Sequence, residues 1–321
     1  MPCRLLCPPF ASVGLIVILT GCGPGSGELS RPAAVQVSAT TTQVADLVRN
    51  VAGDRAEVKG ILPPNADPHD YEPRPSDVAA LGEAAVVFKS GGDLDLFADQ
   101  LIEAGGGDGE VVALLDRVTT IAGGDDDGGD EEHAEGAVDP HWWQDPRNAV
   151  VAVEAIRDAL ITADPGGAET YEANAADYVD KLETLDDQIA GCIGELAPER
   201  RKLVTEHDAL GSYADRYGLE IIGTTIPALT TQAQPSAGDT AALVDLIRSE
   251  GVPVIFPESA LNPKLATAIA AEADATVGEP LYADTLGPAD SEGATYIGAM
   301  RANTAAIVSG LSGGTLGCEG Q

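Results

Sequence analysis

The chain has 321 residues, 44% of them hydrophobic, and a formal net charge of −34 from 52 acidic and 18 basic side chains. So acidic a surface repels nucleic acid and anionic lipid headgroups, which excludes a nucleic-acid partner, but it does not repel cations. Solubility alone accounts for much of the excess acid.

Residues 1–22 read MPCRLLCPPFASVGLIVILTGC, with Arg4 as their only charge. The apolar run from Phe10 to Leu19 is shorter than the ~20 residues of a transmembrane helix, so the segment reads as a secretory signal peptide. Its end, Leu19-Thr20-Gly21-Cys22, resembles a bacterial lipobox. That resemblance implies that residues 1–21 are removed and that Cys22 carries lipid holding the chain to the membrane. An ordinary signal peptide cleaved nearby is the alternative. GPGSGELSRPA follows as a flexible tether, so residues 22–34 form the lipidated cysteine and its leash. The expected product is an extracytoplasmic, lipid-anchored body of about 300 residues, enough for two lobes with separate cores. With Cys22 acylated, Cys192 and Cys318 remain. In an oxidising compartment they are expected to pair; two free buried thiols are the alternative.

VQVSAT (35–40) reads as a strand, TTQVADLVRNVAG (41–53) as a helix and AEVKGIL (56–62) as a strand. A helix over 76–84 with Ser76 as its cap, a strand over 84–91, a helix over 94–105 and a strand over 110–116 continue the alternation. Residues 122–138 interrupt it. Between Asp125 and Glu135 there are seven carboxylates, and five glycines lie close by; this composition cannot bury a core and reads as a mobile loop. A helix over 148–164 follows. Over 166–193, Tyr171, Ala175, Tyr178, Leu182, Leu185 and Ile189 recur at helical spacing, long enough to bridge two lobes. The rhythm resumes with strands over 201–207, 219–225 and 252–258. Helices are expected over 209–218, 238–251 and 262–274, the last capped by Asn262, and finally over about 292–310. The expected fold is α/β: an N-terminal lobe over 35–163, a linking helix over 164–190 and a C-terminal lobe over 191–321. Each lobe is expected to hold a mainly parallel sheet flanked by helices. Ligands of such sheets bind beyond the carboxyl ends of the strands, here in a cleft between the lobes.

Three of the four histidines, His69, His141 and His207, follow strands at that end; His133 lies in the acidic loop and reads as solvated. The tripeptide D-P-H occurs twice, at 67–69 and 139–141. Proline stiffens the approach to each histidine, and Asp67 and Asp139 could each accept a hydrogen bond from the second nitrogen of the imidazole. For His207 the adjacent carboxylates Glu206 and Asp208 are candidates for the same role. Three neutral imidazoles suit a borderline metal such as zinc. A fourth ligand could come from Asp284 in EPLYADTLG, with Glu258 as a rival.

Four stretches, in order, carry a resemblance. They are NADPHDYEPRPSD (65–77), DPHWWQDP (139–146), TEHDALGSYADRYGL (205–219) and YADTLG (282–287). Together they resemble the metal-binding lipoproteins that serve ABC transporters, the ZnuA/TroA/PsaA-like family. The resemblance implies two α/β lobes joined by a rigid helix, a metal site between them, and ligands at His69, His141, His207 and Asp284. Trp143 falls at the family's tryptophan position and is expected to pack beside the cleft and fix His141; Trp142 and Gln144 receive no role. Manganese-binding relatives usually carry glutamate where this chain has His207, so zinc as bound solute is favoured, with manganese or iron as alternatives. Zinc members often have a histidine-rich loop before DPH, whereas here that loop is acidic. Implied partners are the permease and its ATPase, with a metal-donating chaperone as a further candidate, and a monomer is expected. A secreted zinc hydrolase is the competing class. There is no H-E-x-x-H or G-x-S-x-G motif, and Ser259 has no evident histidine partner. An adhesin of the same fold is a third reading.

Overall fold

A computed structural model describes residues 34–123 and 138–318. The signal segment, Cys22, the tether and His133 lie outside the described residues. In the first sheet, strand β1 (Val35–Ala39) pairs in parallel with β2 (Ala56–Gly60) on one side and β3 (Val86–Lys89) on the other. Strand β4 (Glu110–Ala113) closes the order β2-β1-β3-β4. Period-two alternation divides the strands between two layers. Val86 and Phe88 join the large core, and Val87 joins a smaller one with Ile61, Leu81 and Ala84.

Helix α1 (Thr42–Ala52) starts at Thr41, whose hydroxyl accepts from the Val44 N–H at 3.4 Å. The stripe Val44, Leu47, Val48 and Val51 is wholly buried, as its spacing predicts. Helix α2 (Pro75–Glu83) begins one residue before the predicted cap. Pro75 takes the first helical position, where its missing N–H costs nothing. Asp77 then reaches back to the Arg74 N–H at 2.7 Å, so Ser76 does not cap. Helix α3 (Leu96–Gly105) completes that layer. Residues Ala122 and Val138 pair at the base of the acidic segment, and Asp139 N–H donates to Ile121 O at 3.1 Å.

Helix α4 (Pro146–Ala163) starts on Asp145, which accepts from the Arg147 N–H. Helix α5 (Ala168–Gly194) has 27 residues, roughly 40 Å at 1.5 Å per residue. Its predicted face, Tyr171 through Ile189, is buried throughout.

The second half holds β5 (Lys202–Thr205), α6 (Gly211–Tyr217), β6 (Glu220–Thr224), α7 (Ala237–Glu250), β7 (Val254–Ile255), α8 (Lys264–Glu272), β8 (Thr276–Val277) and α9 (Tyr296–Ser312). Strand β5 pairs in parallel with β6, and β7 with β8. The Phe256 N–H joins the two pairs by donating to Val204 O at 2.9 Å. Strand β7 is far shorter than the predicted 252–258 because Pro253 and Pro257 have no N–H to give a ladder. Helix α8 begins two residues after Asn262, whose side chain accepts from the Lys264 N–H at 3.2 Å as a turn, while Pro263 occupies the cap.

One large core runs through both halves, from Val44 and Leu47 of α1 through Leu182 and Leu185 of α5 to Leu203, Phe256 and Met300. A separate cluster, including Val204, Ile255, Val244 and Ile269, covers the outer face of the second sheet. Asp46 of α1 ties three helices together: it accepts from the Tyr178 hydroxyl at 3.3 Å and the Tyr296 N–H at 3.0 Å. Cys192, in the last turns of α5, is disulfide-bonded to Cys318. Among the described residues, no helix is long and apolar enough to cross a membrane.

Candidate metal centre

The loops after β2, β4, β5 and β8 meet at one point. His69, His141, His207 and Asp284 each place a potential ligand atom there, all within 4.8 Å of one another. Nε2 of His69 and Nε2 of His207 lie 3.2 and 3.1 Å from Asp284 Oδ2, and Nε2 of His141 lies 3.3 Å from Oδ1. These N···O spans, which end on the two oxygens of one carboxylate, are close to the ~3.3 Å that separates neighbouring donors about 2.0–2.1 Å from a tetrahedral ion. The imidazoles splay, with ring centroids 5.2–6.0 Å apart.

The loops are built locally. Asn65 takes the left-handed region at φ 58°, which asparagine tolerates better than other side chains, and turns the chain into the first D-P-H. In both D-P-H stretches the aspartate accepts the histidine's backbone N–H, Asp67 from His69 at 2.9 Å and Asp139 from His141 at 2.8 Å. Only Asp139 also holds the ring, at 2.7 Å from His141 Nδ1. Asp67 does not support the His69 ring; its other oxygen accepts from the Thr231 hydroxyl at 2.6 Å. Gln232 donates to the His69 carbonyl, so the 231–232 loop covers the first ligand loop.

Glu206 does not hold His207. Glu258 does so instead, bonding His207 Nδ1 and accepting the His207 N–H at 3.1 Å. Glu206 accepts the Glu258 N–H at 2.7 Å. Glu258 therefore stands behind the donor set rather than within it. Asp208 is bonded elsewhere, its backbone N–H donating to Ala228 O. Trp143 packs edge-on beside His141, centroids 5.5 Å apart, and donates to Ala283 O at 3.0 Å. Trp142 is fully buried and donates to the carbonyl and hydroxyl of Ser90, both at 3.2 Å.

His141, His207 and Asp284 are buried, and the His69 side chain is 7% exposed. Five atoms of this group, the three Nε2 and both Asp284 oxygens, are buried, make no well-formed hydrogen bond and touch only one another, at 3.1–3.3 Å. Orphaned donors and acceptors at that density are costly unless something joins them, and a divalent cation at their centre would satisfy all five. Burial resists charging of His207, but Glu258 and Asp284 overcome it and hold its pKa well above 6.5. Burial likewise opposes charging of His141, outweighed by Asp284 and Asp139. For Asp284, burial favours the neutral acid, but His207 and His141 draw its pKa well below the usual carboxylate range. Burial raises Glu206 to about 7.

A buried, ion-sized cup of nitrogen and oxygen donors between two α/β lobes could hold a single metal ion. Residues 37–310 match the family described as zinc-uptake complex component A, periplasmic, and the chain belongs to that family. It is 30% identical over 310 residues to the manganese-binding lipoprotein MntA of Halalkalibacterium halodurans, covering 96% of this chain and 99% of the relative. It is 26% identical over 301 residues to the manganese ABC transporter substrate-binding lipoprotein PsaA of Streptococcus mitis, covering 92% and 96%. Among solved structures, the periplasmic zinc binding protein TroA from Treponema pallidum superposes with a TM-score of 0.78 at 28% identity, covering 87% of this chain and 99% of that one. The chain is thus a metal-binding, substrate-binding component of an ABC transporter with an extracytoplasmic role, which implies a permease and an ATPase as partners. It is not an enzyme, and the hydrolase reading falls.

Proposed function

We propose that the protein captures a divalent transition metal, zinc foremost, on His69, His141, His207 and Asp284 and delivers it to a membrane permease for import, held near that permease by lipid on Cys22. The observation that carries this reading is the convergence of five buried atoms on those four residues, which face only one another. Three imidazole nitrogens and one carboxylate favour zinc over a hard, oxygen-seeking ion. Asp139 and Glu258 orient two of the imidazoles so that Nε2 faces the centre and Nδ1 faces a carboxylate. Manganese is the second reading: Asp284 turns both oxygens toward the imidazoles, offering five donors in all, and MntA and PsaA are named for manganese.

Metal analysis of the purified protein, followed by chelator-competition titration with zinc and manganese, tests both readings. One zinc per chain, bound more tightly than manganese and lost in His141→Ala, is the expected result. Manganese outcompeting zinc at equal free concentration would reassign the cargo. Undiminished binding in His69/His141/His207→Ala would overturn the site.

A further inference from the structure

Asp284 belongs by sequence to the C-terminal half, yet the residues that grip its loop come from the N-terminal lobe. The segment leaves the C-terminal sheet at Leu281, which pairs with Glu258, and at Tyr282, whose N–H donates to Asn303 Oδ1 at 2.8 Å. One residue on, its partners change. The carbonyl of Ala283 accepts from Trp143 Nε1 at 3.0 Å, Gln144 Nε2 at 3.0 Å and Gln43 Nε2 at 3.3 Å. Leu286 N–H then donates to the Thr42 hydroxyl at 2.8 Å, and its carbonyl accepts from the Asn65 N–H at 3.1 Å.

A peptide group is planar, so the direction of the Ala283 carbonyl fixes where the Asp284 Cα lies. Three donors on a carbonyl with two lone pairs hold that direction from three sides. Gln43 and Gln144 are 1% and 0% exposed, so these amides are shut away from solvent. Gln144 ends the same turn that His141 begins, and its N–H donates to the His141 carbonyl at 3.2 Å. One short turn therefore carries a histidine donor at one end and the support of the carboxylate donor at the other.

We propose that Gln43 and Gln144 are positioning residues for metal capture, fastening Asp284 through the Ala283 carbonyl to the lobe that carries His69 and His141. The inference rests on the ligand set proposed above. Methionine in place of either glutamine keeps length and removes the amide donor. Gln43→Met and Gln144→Met, alone and combined, are each made in the otherwise native chain and in an Asp284→Ala background. Zinc affinity is measured by chelator competition, and the visible spectrum is recorded with cobalt(II) in place of zinc.

The expected loss is about tenfold in zinc affinity per substitution, the lower end for residues that hold a ligand. The cobalt bands should shift in wavelength and intensity. On Asp284→Ala, where the three histidines retain a weaker site, the same substitutions should change affinity less than about twofold, because contacting residues that act through one another are not additive. Equal losses in both backgrounds, or an unshifted cobalt spectrum with full affinity, would overturn the proposal. Melting in excess chelator checks that each variant folds; should Gln144→Met not fold, Gln43→Met carries the same cycle. Failure of the unsubstituted protein to bind zinc or cobalt would instead sink the ligand assignment.

Discussion

Glu258 separates two accounts of how His207 is held. Its carboxylate takes both the ring Nδ1 and the backbone N–H of His207, while Glu206 touches only the Glu258 N–H. In Glu258→Gln an amide oxygen can still accept from Nδ1–H, so the shape is kept and the charge is lost. Hydrogen bonds to charged groups exceed neutral ones by about 1–1.5 kcal/mol. The substitution should therefore cost about tenfold in zinc affinity, at 1.4 kcal/mol per decade. Glu258→Ala also leaves two buried donors unpaired, at about 1–3 kcal/mol each, so its loss should be about a hundredfold or more. Glu206→Gln keeps the acceptor for the Glu258 N–H. Burial raises the Glu206 pKa to about 7, and its carboxylate touches only the Glu258 N–H, so the charge it carries at higher pH reaches the His207 ring only through that peptide. Glu206→Gln should change affinity less than about threefold. Chelator competition at pH 8 is the suitable assay, because removing the Glu258 charge also weakens proton competition at His207 and would mask part of the loss in acid. A Glu206→Gln loss equal to or greater than that of Glu258→Gln would refute this arrangement.

Other consequences are open to measurement. Burial disfavours charging of His141 and His207, but the facing carboxylates hold both pKa values above 6.5 in the metal-free protein. Raised histidine pKa values stabilise that form below pH 6.5, and the contribution is lost as pH rises through the raised values. Metal needs neutral imidazole, so the zinc-induced rise in Tm should grow from pH 6 to pH 9, and binding should release protons, seen as buffer-dependent heat; a gap that shrinks with pH would contradict this. Trp143 lies beside His141 whereas Trp142 faces Ser90, so a zinc-dependent change in tryptophan fluorescence should vanish in Trp143→Phe and survive in Trp142→Phe. The Cys192–Cys318 bond spans a separation of 126 residues; on chain-entropy grounds its removal in Cys192→Ser/Cys318→Ser should cost about 5 kcal/mol by denaturant unfolding. Zinc affinity should stay within about twofold, because the bond makes no contact with the four donors.

What the sequence made legible was what short-range rules control. The α5 face was readable because six residues repeat along one stripe, and burial follows that stripe. The four residues that converge were readable because each sits in a motif a few residues long. The D-P-H motif carries its own backbone bond, from the aspartate to the N–H two residues on, and that bond forms in both copies. Ring support is another matter. Whether the aspartate also reaches Nδ1 depends on what else competes for its second oxygen, and at Asp67 the competitor is Thr231, 164 residues away. Glu206 was attractive because it is adjacent to His207, yet its carboxylate is taken up by the Glu258 N–H; the actual partner lies 51 residues on, after β7. Gln43 and Gln144 left no mark at all. An amide that serves a backbone carbonyl needs no particular residue at the far end, so its partner, Ala283, carries no signal to pair with it. Trp143 was singled out for its place beside His141, but its indole N–H grips the same carbonyl from 140 residues away. The histidines and Asp284 can thus be found one motif at a time, whereas the contacts that aim His207 and Asp284 come from residues far away in the chain.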